Sequence, residues 1–267
     1  MNKEKIILAI CLVLFLDIFL IREATLLKTE RLVFCDVGQG DGAFINLKGG
    51  TQIIVDGGPD NKLIGCVGKY MPYFDHRIEY LIISHPDKDH FVGAIEILRR
   101  YDVKRVFVNG DTSDIPEYAE FLKLAADKIN VAYTDSDIIL GNMKIDFLYP
   151  YSLARETKDN NGNSLVFQFE YAGKNILFTG DLPEKGEQEL IKNKADLPAD
   201  ILKVAHHGSK NSSSVEFLKA VRPKLAIISA GKDNDYGHPH YRVLKNLENL
   251  KIKYLRTDEK GNIVVNF

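Results

Sequence analysis

The stretch His85-Pro86-Asp87-Lys88-Asp89-His90 decides the fold, because it places four ligand-type side chains within six residues. It follows an apolar run at residues 81–83, which predicts a buried strand, and it precedes a helix predicted over residues 92–100. Loops at strand ends can aim side chains inward, and alternate residues of an extended segment point to the same side. The spacing therefore predicts two adjacent metal ions. The alternative is a solvated turn with an acidic helix start, since aspartate is common there.

Three further predicted strands also end in ligand-type residues. They lead into Gly180-Asp181, His206-His207-Gly208-Ser209 and Tyr236-Gly237-His238-Pro239-His240. Each segment alone has an ordinary interpretation, as a turn acid, as core histidines or as loop residues. Of the seven histidines in the chain, however, only His76 lies outside these loops and the 85–90 segment. The recurrence of one pattern favours a single metal centre built from several strand ends.

The rest of the chain after residue 27 alternates short apolar strands with amphipathic helices, without a low-complexity linker or an internal repeat. Residues 32–35, 42–47 and 51–55 predict an antiparallel meander, punctuated by glycine-rich turns. Residues 164–171 and 175–179 predict a hairpin that turns at Ala172-Gly173. This mixture predicts one domain over residues 28–267, an α/β fold in which two mixed β-sheets are faced by helices as an αββα sandwich.

Composition limits the functions that the chain can have. With 267 residues, of which 45% are hydrophobic and 27% charged, the chain is long enough for one large globular domain. A net charge of -2 and a pI near 6.4 give no overall basic surface, so contact with nucleic acid would need a local patch. Cys11, Cys35 and Cys66 show neither CxxC spacing nor an even count. We therefore interpret them as small apolar residues rather than as a zinc knuckle or a disulfide framework.

The N-terminus differs in composition from the rest of the chain. Lys3 and Lys5 precede an apolar run at residues 6–21 that only Asp17 interrupts. The run is slightly shorter than the ~20 residues of a bilayer span, but extension to residue 26 or 27 lengthens it. We predict that residues 1–27 form an uncleaved single-pass anchor in the cell membrane, with the domain outside the cytoplasm. A cleaved signal peptide, which would release a secreted protein, and a buried helix of the domain are the alternatives.

Several of these stretches together resemble the motifs of the metallo-β-lactamase superfamily. The segment at residues 85–90 is similar to its HxHxDH signature, and Asp56-Gly57-Gly58 and Thr179-Gly180-Asp181 match further motifs in order. The chain departs from the signature at Asp87, where the family has histidine. It departs again at residues 160–166, where the family usually supplies another histidine. These departures indicate a subfamily.

Three more stretches narrow the resemblance to one branch of the superfamily. They are Val37-Gly38-Gln39-Gly40-Asp41, His206-His207-Gly208-Ser209 and Tyr236-Gly237-His238-Pro239-His240. Together with the departures, they look like the extracytoplasmic hydrolase domain of ComEC-type competence proteins. The resemblance spans residues 32–267 and implies a metal-dependent hydrolase.

The resemblance also implies a role for each ligand-type residue. His85 and Asp87 would hold a first ion, and Asp89 and His90 a second. Asp181 would bridge both ions with one carboxylate. The cofactor would thus be two divalent metal ions, zinc or manganese, and the oxygen-rich first site favours manganese as the harder ion.

Two ligand positions remain open after this comparison. His206 would complete the ligands of the second ion. We prefer it to His207 because it comes first after the strand at residues 201–204. The sequence does not separate the two histidines. Asn161 is the candidate for the position of the missing histidine.

Further residues are predicted to support the centre or contact the substrate. Asp41 and Asp56 are expected to hydrogen-bond to ligands, although Asp56 is equally well explained as a turn residue. Ser209, with Lys210 and Ser212, would contact a phosphate, or else the run at residues 209–214 is simply the N-cap of a helix. The residues predicted to take part in catalysis are Asp89 and the histidines His238 and His240, one of which would donate a proton to the leaving oxygen.

Two cations about 3.5–4 Å apart can deprotonate a bridging water and neutralise charge on the attacked group. The sequence therefore predicts a phosphodiesterase or nuclease whose substrate is DNA or a related phosphodiester, attached to the membrane through its N-terminal segment. One alternative is a hydrolase of a small ester, such as a phosphorylcholine ester or a lactone. Another is a non-enzymatic binding accessory. No protein partner is identifiable from the sequence.

Overall fold

The computed structural model describes residues 3–152 and 160–267 of the chain. The helices in these ranges are α1 (Lys3–Lys28), α2 (Lys62–Tyr70), α3 (Lys88–Arg100), α4 (Pro116–Ala125), α5 (Glu184–Lys192), α6 (Val215–Val221), α7 (Tyr241–Asn249) and α8 (Thr257–Lys260). The strands are β1 (Arg31–Phe34), β2 (Gly42–Leu47), β3 (Thr51–Gly57), β4 (Arg77–Ile82), β5 (Asp102–Val108), β6 (Ile129–Val131), β7 (Ile138–Leu140), β8 (Met143–Tyr149), β9 (Val166–Tyr171), β10 (Lys174–Phe178), β11 (Ile201–Lys203), β12 (Leu225–Ile228), β13 (Lys253–Arg256) and β14 (Ile263–Asn266).

These strands form two seven-stranded sheets. The first sheet has the order β14-β1-β2-β3-β4-β5-β6, and the second has the order β13-β12-β11-β10-β9-β8-β7. Each sheet is mixed, because β1, β2 and β3 pair antiparallel while β3 to β6 pair parallel, and the second sheet changes from antiparallel to parallel at β10. Helices cover the outer face of each sheet, so the predicted αββα sandwich and its opening meander are confirmed.

The core lies between the two sheets and under each layer of helices. In β2, Ala43 and Ile45 face the layer between the sheets, whereas Phe44 faces the layer beneath α2 and α3. Successive side chains of a strand point to opposite faces, so a strand that is covered on both sides is largely apolar. Every residue of β2 is buried, and its one polar residue, Asn46, donates hydrogen bonds to the carbonyl oxygens of Leu26 and Thr29.

The parallel register of the second sheet aligns the ends of β10, β11 and β12. Phe178 pairs with Lys203, and Lys203 pairs with Ile227. Because the carboxyl ends of parallel strands meet at one edge of a sheet, the segments that follow these three strands lie side by side. This edge therefore collects the ligand-type residues from distant parts of the sequence.

Helix α3 begins earlier than the sequence predicted. Asp87 has an extended backbone at φ -92 and ψ 149, and the helix starts at Lys88 rather than at residue 92. The carbonyl oxygen of Asp87 accepts hydrogen bonds from the backbone N–H groups of His90 and Phe91, at 2.9 and 3.2 Å. Asp89 and His90 therefore lie in the first helical turn, and the expectation that Asp89 continues an extended segment is wrong.

The interpretation of all three cysteines as small apolar residues is also wrong. Cys35 and Cys66 form a disulfide that joins the end of β1 to α2, with their Cα atoms 6.0 Å apart. Cys11 is free and exposed. The odd number of cysteines and the long spacing concealed the pair, because only the packing of α2 beside β1 brings the two sulfurs together.

Helix α1 spans Lys3–Lys28, and most of its apolar side chains are exposed. Only Glu23 and Leu26 are buried, so the interpretation of this segment as a buried helix of the domain is wrong. The end of the helix is fixed to the domain. Arg22 donates hydrogen bonds to the carbonyl oxygens of Gly68 and Lys69, and Glu23 accepts one from the Tyr73 N–H at 2.6 Å. In the described ranges 3–152 and 160–267, no helix has both the length and the apolar character that crossing a membrane requires.

Candidate metal centre

The segment after β4 brings two fully buried histidines together. The rings of His85 and His90 have centroids 4.2 Å apart. Asp56, at the end of β3, lies 3.0 Å from Nδ1 of His90 through its Oδ2 atom and accepts hydrogen bonds from the Ser84 N–H and hydroxyl. A carboxylate at Nδ1 fixes the tautomer of the ring and directs the Nε2 lone pair away from it. Asp56 thus orients His90 toward the centre.

Asp181 occupies the middle of the centre. Its Oδ1 atom lies 3.2 Å from Nε2 of His90, and its Oδ2 atom lies 4.0 Å from Nε2 of His85. Oδ2 is also 3.6 Å from Nε2 of both His206 and His207. One carboxylate therefore faces ligand-type residues from both sheets, as a bridging ligand must.

Four overlapping groups of donor atoms lie in this centre, and two of them face its opening, one made of His85, His90 and Asp181 and the other of Asp89, His90 and His207. Within each group, the donor atoms lie within 4.8 Å of one another. Among the residues that the structure describes, Nε2 of His85, Nε2 of His90 and Oδ1 of Asp181 are buried without a hydrogen-bond partner. Buried polar atoms without a partner are costly, and a bound cation would satisfy all three. The donor set therefore fits divalent metal ions.

Charge in the centre agrees with this donor set. Burial lowers the pKa of His90, but the carboxylates of Asp181 and Asp56 outweigh it and hold the pKa well above its usual value. Burial raises the pKa of Asp181, but the charges of His90 and His207 outweigh it and hold the pKa well below its usual value. Paired buried carboxylates thus produce a negative field, which a divalent cation would neutralise.

Asp87 lies at the rim of the centre. Its Oδ2 atom is 3.5 Å from Nε2 of His85, and its Oδ1 atom accepts a hydrogen bond from Nδ2 of Asn160 at 2.9 Å. This polar contact with His85 is the largest cause that lowers the pKa of Asp87, so the carboxylate is ionised at neutral pH. Asn160, which the sequence did not single out, therefore contacts a ligand-type side chain. The backbone carbonyl of Asn161 accepts from the Ser164 N–H within the same turn.

The turn Asn160–Asn163 is held in place by a buried amide and acid network that the sequence did not reveal. Nδ2 of Asn163 donates to Oδ1 of Asp111 at 3.0 Å. Nδ2 of Asn109 donates to Oδ2 of Asp111 and to the backbone carbonyl of Asn163, at 2.9 and 3.1 Å. These bonds connect the end of β5 to the turn and so position Asn160 against Asp87.

The two histidines that follow β11, His206 and His207, differ in burial and in their contacts. His207 is 1% exposed, and its Nε2 atom lies 3.1 Å from Oδ2 of Asp89. The side chain of His206 is 28% exposed, and His206 is absent from both donor groups. Both residues have a left-handed backbone, at φ 52 and 53, which turns the chain so that the second histidine enters the centre. The geometry thus favours His207 as the ligand, in contrast to our prediction.

Lys203 and Asp41 support His207 from behind. Lys203 is 3% exposed, and its Nζ atom donates to Oδ2 of Asp41 at 2.7 Å. Oδ1 of Asp41 lies 3.2 Å from Nδ1 of His207, which also faces the carbonyl oxygen of Ser229 at 3.0 Å. Burial raises the pKa of Asp41, but the charges of Lys203 and His207 outweigh it and lower the pKa. Our sequence reasoning missed Lys203, although a lysine among the apolar residues of β11 is a signal of a buried ion pair.

Comparison with known proteins agrees with this architecture. The model of the metallo-beta-lactamase superfamily matches residues 35–232. The chain is a member of the metallo-β-lactamase superfamily. Over 246 residues it is 32% identical to ComE operon protein 3 of Bacillus subtilis, covering 85% of this chain and 32% of that protein. Over 237 residues it is 31% identical to Recombination protein 2 of Haemophilus influenzae, covering 87% and 28%.

The chain therefore spans about a third or less of the length of these curated relatives. The similarity of the chain to these two proteins confirms the resemblance to ComEC-type competence proteins. Among solved structures, the metallo-beta-lactamase fold protein YhfI of Bacillus subtilis superposes with a TM-score of 0.58 at 14% identity, covering 90% of this chain and all of YhfI. At that identity the likeness supports the fold alone.

The remaining predicted residues of this superfamily member lie at different distances from the centre. The ring of His238 lies 5.5 Å from that of His206 and 6.2 Å from that of His207. His240 instead caps α7, where its Nδ1 atom accepts from the Arg242 N–H at 3.2 Å. Ser209 is 6% exposed, and its carbonyl oxygen accepts from the Ser212 hydroxyl. The N-cap of α6 is Ser214, so the interpretation of the run at residues 209–214 as a helix N-cap is confirmed at its last residue.

The protonation of His238 bears on its predicted role. Burial and the charges of His207 and His206 lower the pKa of His238 to about 4. The ring is therefore neutral at pH 7 and carries one N–H. Nε2 of Gln39 lies 3.5 Å from Nδ1 of His238, and Oε1 of Gln39 accepts from the Gly231 N–H. The bond to Gly231 orients the Gln39 amide to donate to Nδ1, which favours the tautomer of His238 with its proton on Nε2.

Proposed function

We propose that this metal-dependent hydrolase is a two-metal phosphodiesterase whose substrate is DNA or a related phosphodiester. The observation that carries the proposal is a pair of overlapping donor groups that share His90 and contain three buried ligand atoms without a hydrogen-bond partner among the described residues. Two bound cations would supply a deprotonated water and neutralise charge on the phosphoryl group. No side-chain nucleophile is then needed.

The residues of the chain divide the remaining work. Asp181 would bind both ions and so set the distance between them. The Asp56 carboxylate keeps His90 in the tautomer that presents Nε2 to an ion. Asp41 and Lys203 do the same for His207 on the other side. Asp89, at 3.1 Å from His207, would complete the second ion's ligands. The preference for manganese remains part of this proposal, because Asp87 would supply oxygen where the family signature has imidazole.

His238 is placed to act on the substrate rather than on a metal ion. Its neutral ring would donate a hydrogen bond from Nε2 to a phosphoryl oxygen, which replaces the predicted proton transfer from a charged imidazole. A hydrogen bond that strengthens as charge develops on that oxygen lowers the barrier. His240 is not needed for this step, because its ring caps α7.

The relatives and the exposed surface of α1 also support a location at the cell membrane. The named relatives are a ComE operon protein and a recombination protein. Exposed apolar side chains cover α1 from Ile6 to Ile21, and Phe19 packs edge-on against Tyr73 and Phe74 near the end of that run. We propose that α1 attaches the domain to the cell membrane. The Cys35–Cys66 disulfide favours the extracytoplasmic side, because disulfides persist in oxidising compartments.

Location can be measured in intact spheroplasts. We expect added protease to digest the domain there and a thiol reagent to leave Cys35 and Cys66 unlabelled until a reductant is added. Protection of the domain until lysis, together with reduced cysteines, would place it in the cytoplasm and contradict the proposal.

Activity can be measured with the full chain in mild detergent. The metal-free protein is reconstituted with manganese, zinc or magnesium and assayed with a single-stranded oligonucleotide, a phosphorylcholine ester and a lactone. We expect cleavage of the oligonucleotide with two bound ions per chain. Hydrolysis of the lactone or the phosphorylcholine ester alone would replace the proposed substrate while leaving the metal centre intact. No hydrolysis at full metal occupancy would favour a binding accessory.

A further inference from the structure

An exposed tyrosine lies against the histidine that we assign to the substrate. The ring of Tyr236 stacks on that of His238, with centroids 5.8 Å apart and an interplanar angle of 23°. Tyr236 is 72% exposed, so one face covers His238 while the other is open to solvent. His238 in turn contacts the rings of His206 and His207. A flat aromatic surface therefore lies directly beside the metal centre.

The segment that carries Tyr236 is held by one side chain. Asn234 donates from Nδ2 to the carbonyl oxygens of Gly231 and His238. Its Oδ1 atom accepts from the backbone N–H groups of Tyr236 and His238, at 3.2 and 3.0 Å. Four hydrogen bonds from one amide fix the backbone on both sides of the tyrosine. The ring is thus presented in a set place, and a ligand that stacks on it would not have to order the segment.

We propose that the open face of Tyr236 is a stacking subsite for one nucleobase of the substrate. This base is the one next to the phosphodiester that is bound at the metal centre. This inference rests on the proposed function and names its substrate more narrowly as a single-stranded nucleic acid, whose bases are unpaired and free to stack. Aromatic rings bind successive bases of single strands in this way, without regard to sequence, because every base has a π-face.

The surroundings of the ring favour a planar neutral ligand. Lys232 lies between Gly231 and Asp233, and Asp235 follows, so this segment has no excess of positive charge to attract a phosphate. Quaternary ammonium groups are bound in cages of several aromatic rings. Tyr236 instead offers one open face backed by one imidazole. The negatively charged backbone of the strand would be held at the metal centre, and the base by the tyrosine.

The test is a double-mutant cycle between the ring and the base. Full-length wild type and Tyr236→Ala are titrated with a fluorescent oligonucleotide, intact or with an abasic position beside the scissile phosphate. We expect Tyr236→Ala to raise Kd and KM for the intact strand about ten-fold, within the range for one stacked base. The abasic strand should bind both proteins equally, because the two deletions remove the same contact.

Two variants control for structure. Tyr236→Phe should retain wild-type affinity, since the π-face remains. Tyr73→Ala removes another tyrosine, 65% exposed, that packs on Phe19 and should change neither constant. Metal content and the unfolding midpoint are measured for all variants, and we expect them to match the wild type.

The possible results are distinguishable. Equal losses for the intact and the abasic strand would overturn the stacking subsite, as would a loss confined to a phosphorylcholine ester. If the wild type binds but cleaves no phosphodiester, the proposed function fails, and the binding cycle still decides whether Tyr236 contacts a base.

Discussion

The two sheets contribute to the metal centre in different ways. The first sheet supplies His85, Asp87, Asp89 and His90 from one continuous segment after β4, whereas the second supplies Asp181, His207 and His238 from three separate segments after β10, β11 and β12. In the continuous segment, a strand end and one helical turn set the spacing of the ligands. In the second sheet, the register of three parallel strands sets it.

This difference determines how each half can fail. A substitution in the continuous segment changes one ligand, while the other three keep the same backbone support. In the second sheet each side chain depends on its own turn, such as the left-handed pair at residues 206 and 207. Asp181 belongs to the second sheet but faces donors of both sheets, so it is the point at which the two halves are joined.

The largest effect is therefore expected from Asp181→Asn. A neutral amide is a poor bridge between two cations, so we expect phosphodiesterase turnover to fall on the order of 10³-fold and at least one ion to be lost. Metal content is read by elemental analysis and folding by circular dichroism. Asp200→Asn is the matched control, because Asp200 directly precedes β11 of the same sheet but pairs with Lys224 at 2.7 Å. Full turnover with two retained ions would show that the halves are not joined at Asp181.

The next effect separates the two neighbouring histidines. His207→Ala should lower metal affinity at least about 100-fold, because it removes a buried ligand. His206→Ala should retain both ions and lose about ten-fold or less in turnover. Isothermal titration of each metal-free variant gives the affinities. The reverse order would restore our sequence preference for His206 and show that the turn at residues 205–208 differs from the one described.

A smaller change is expected in metal preference. The metal-free wild type should recover more phosphodiesterase activity with manganese than with zinc, because Asp87 supplies oxygen where the family signature has imidazole. Asp87→His should move the preference toward zinc by several-fold. Rate and bound ion are measured together in each titration, since zinc can occupy a site without being the better cofactor. Equal or better activity of the wild type with zinc would refute the argument from ligand hardness.

The smallest effect on turnover is expected outside both halves. Replacing Cys35 and Cys66 with alanine opens a loop of sequence separation 31, which should lower the free energy of unfolding by about 3–4 kcal/mol. Turnover of the folded fraction should stay near that of the wild type, because neither sulfur touches the centre. Cys11→Ala serves as the control, and its unfolding curve should be unchanged. Equal stability of the double variant and the wild type would show that the disulfide adds nothing to the fold.

The comparison also explains what the sequence could predict. The sandwich and the 85–90 segment could be recognised because strand alternation and ligand spacing are local patterns. The geometric preference for His207 over His206 could not be recognised, since it depends on the backbone conformation at two successive residues. Asn160 was missed for a similar reason. Its contact with Asp87 joins positions 73 residues apart and is set by the amide network around Asp111.

Cys35–Cys66 and Lys203 show two further limits. The disulfide required knowledge that α2 packs beside the end of β1, which no spacing rule supplies. Lys203 faces Asp41 across 162 positions in sequence, and only the meeting of both sheets makes that ion pair. Breaking it from one side would leave a buried charge without a partner, which typically costs about 3–5 kcal/mol. Such contacts between sheets can be found only once the fold is known.

The hydrogen bonds that hold the end of α1 have a geometric consequence. Because Arg22 and Glu23 bind the backbone of residues 68–73, the helix and the domain turn together as one rigid body. The number of residues in α1 thus sets the direction in which the metal centre faces, viewed along the helix axis. Each residue inserted between the apolar run and Arg22 would swing that direction by about 100° and lift the domain by about 1.5 Å. The length of α1 therefore sets the orientation of the metal centre about the helix axis as well as its distance from the apolar run.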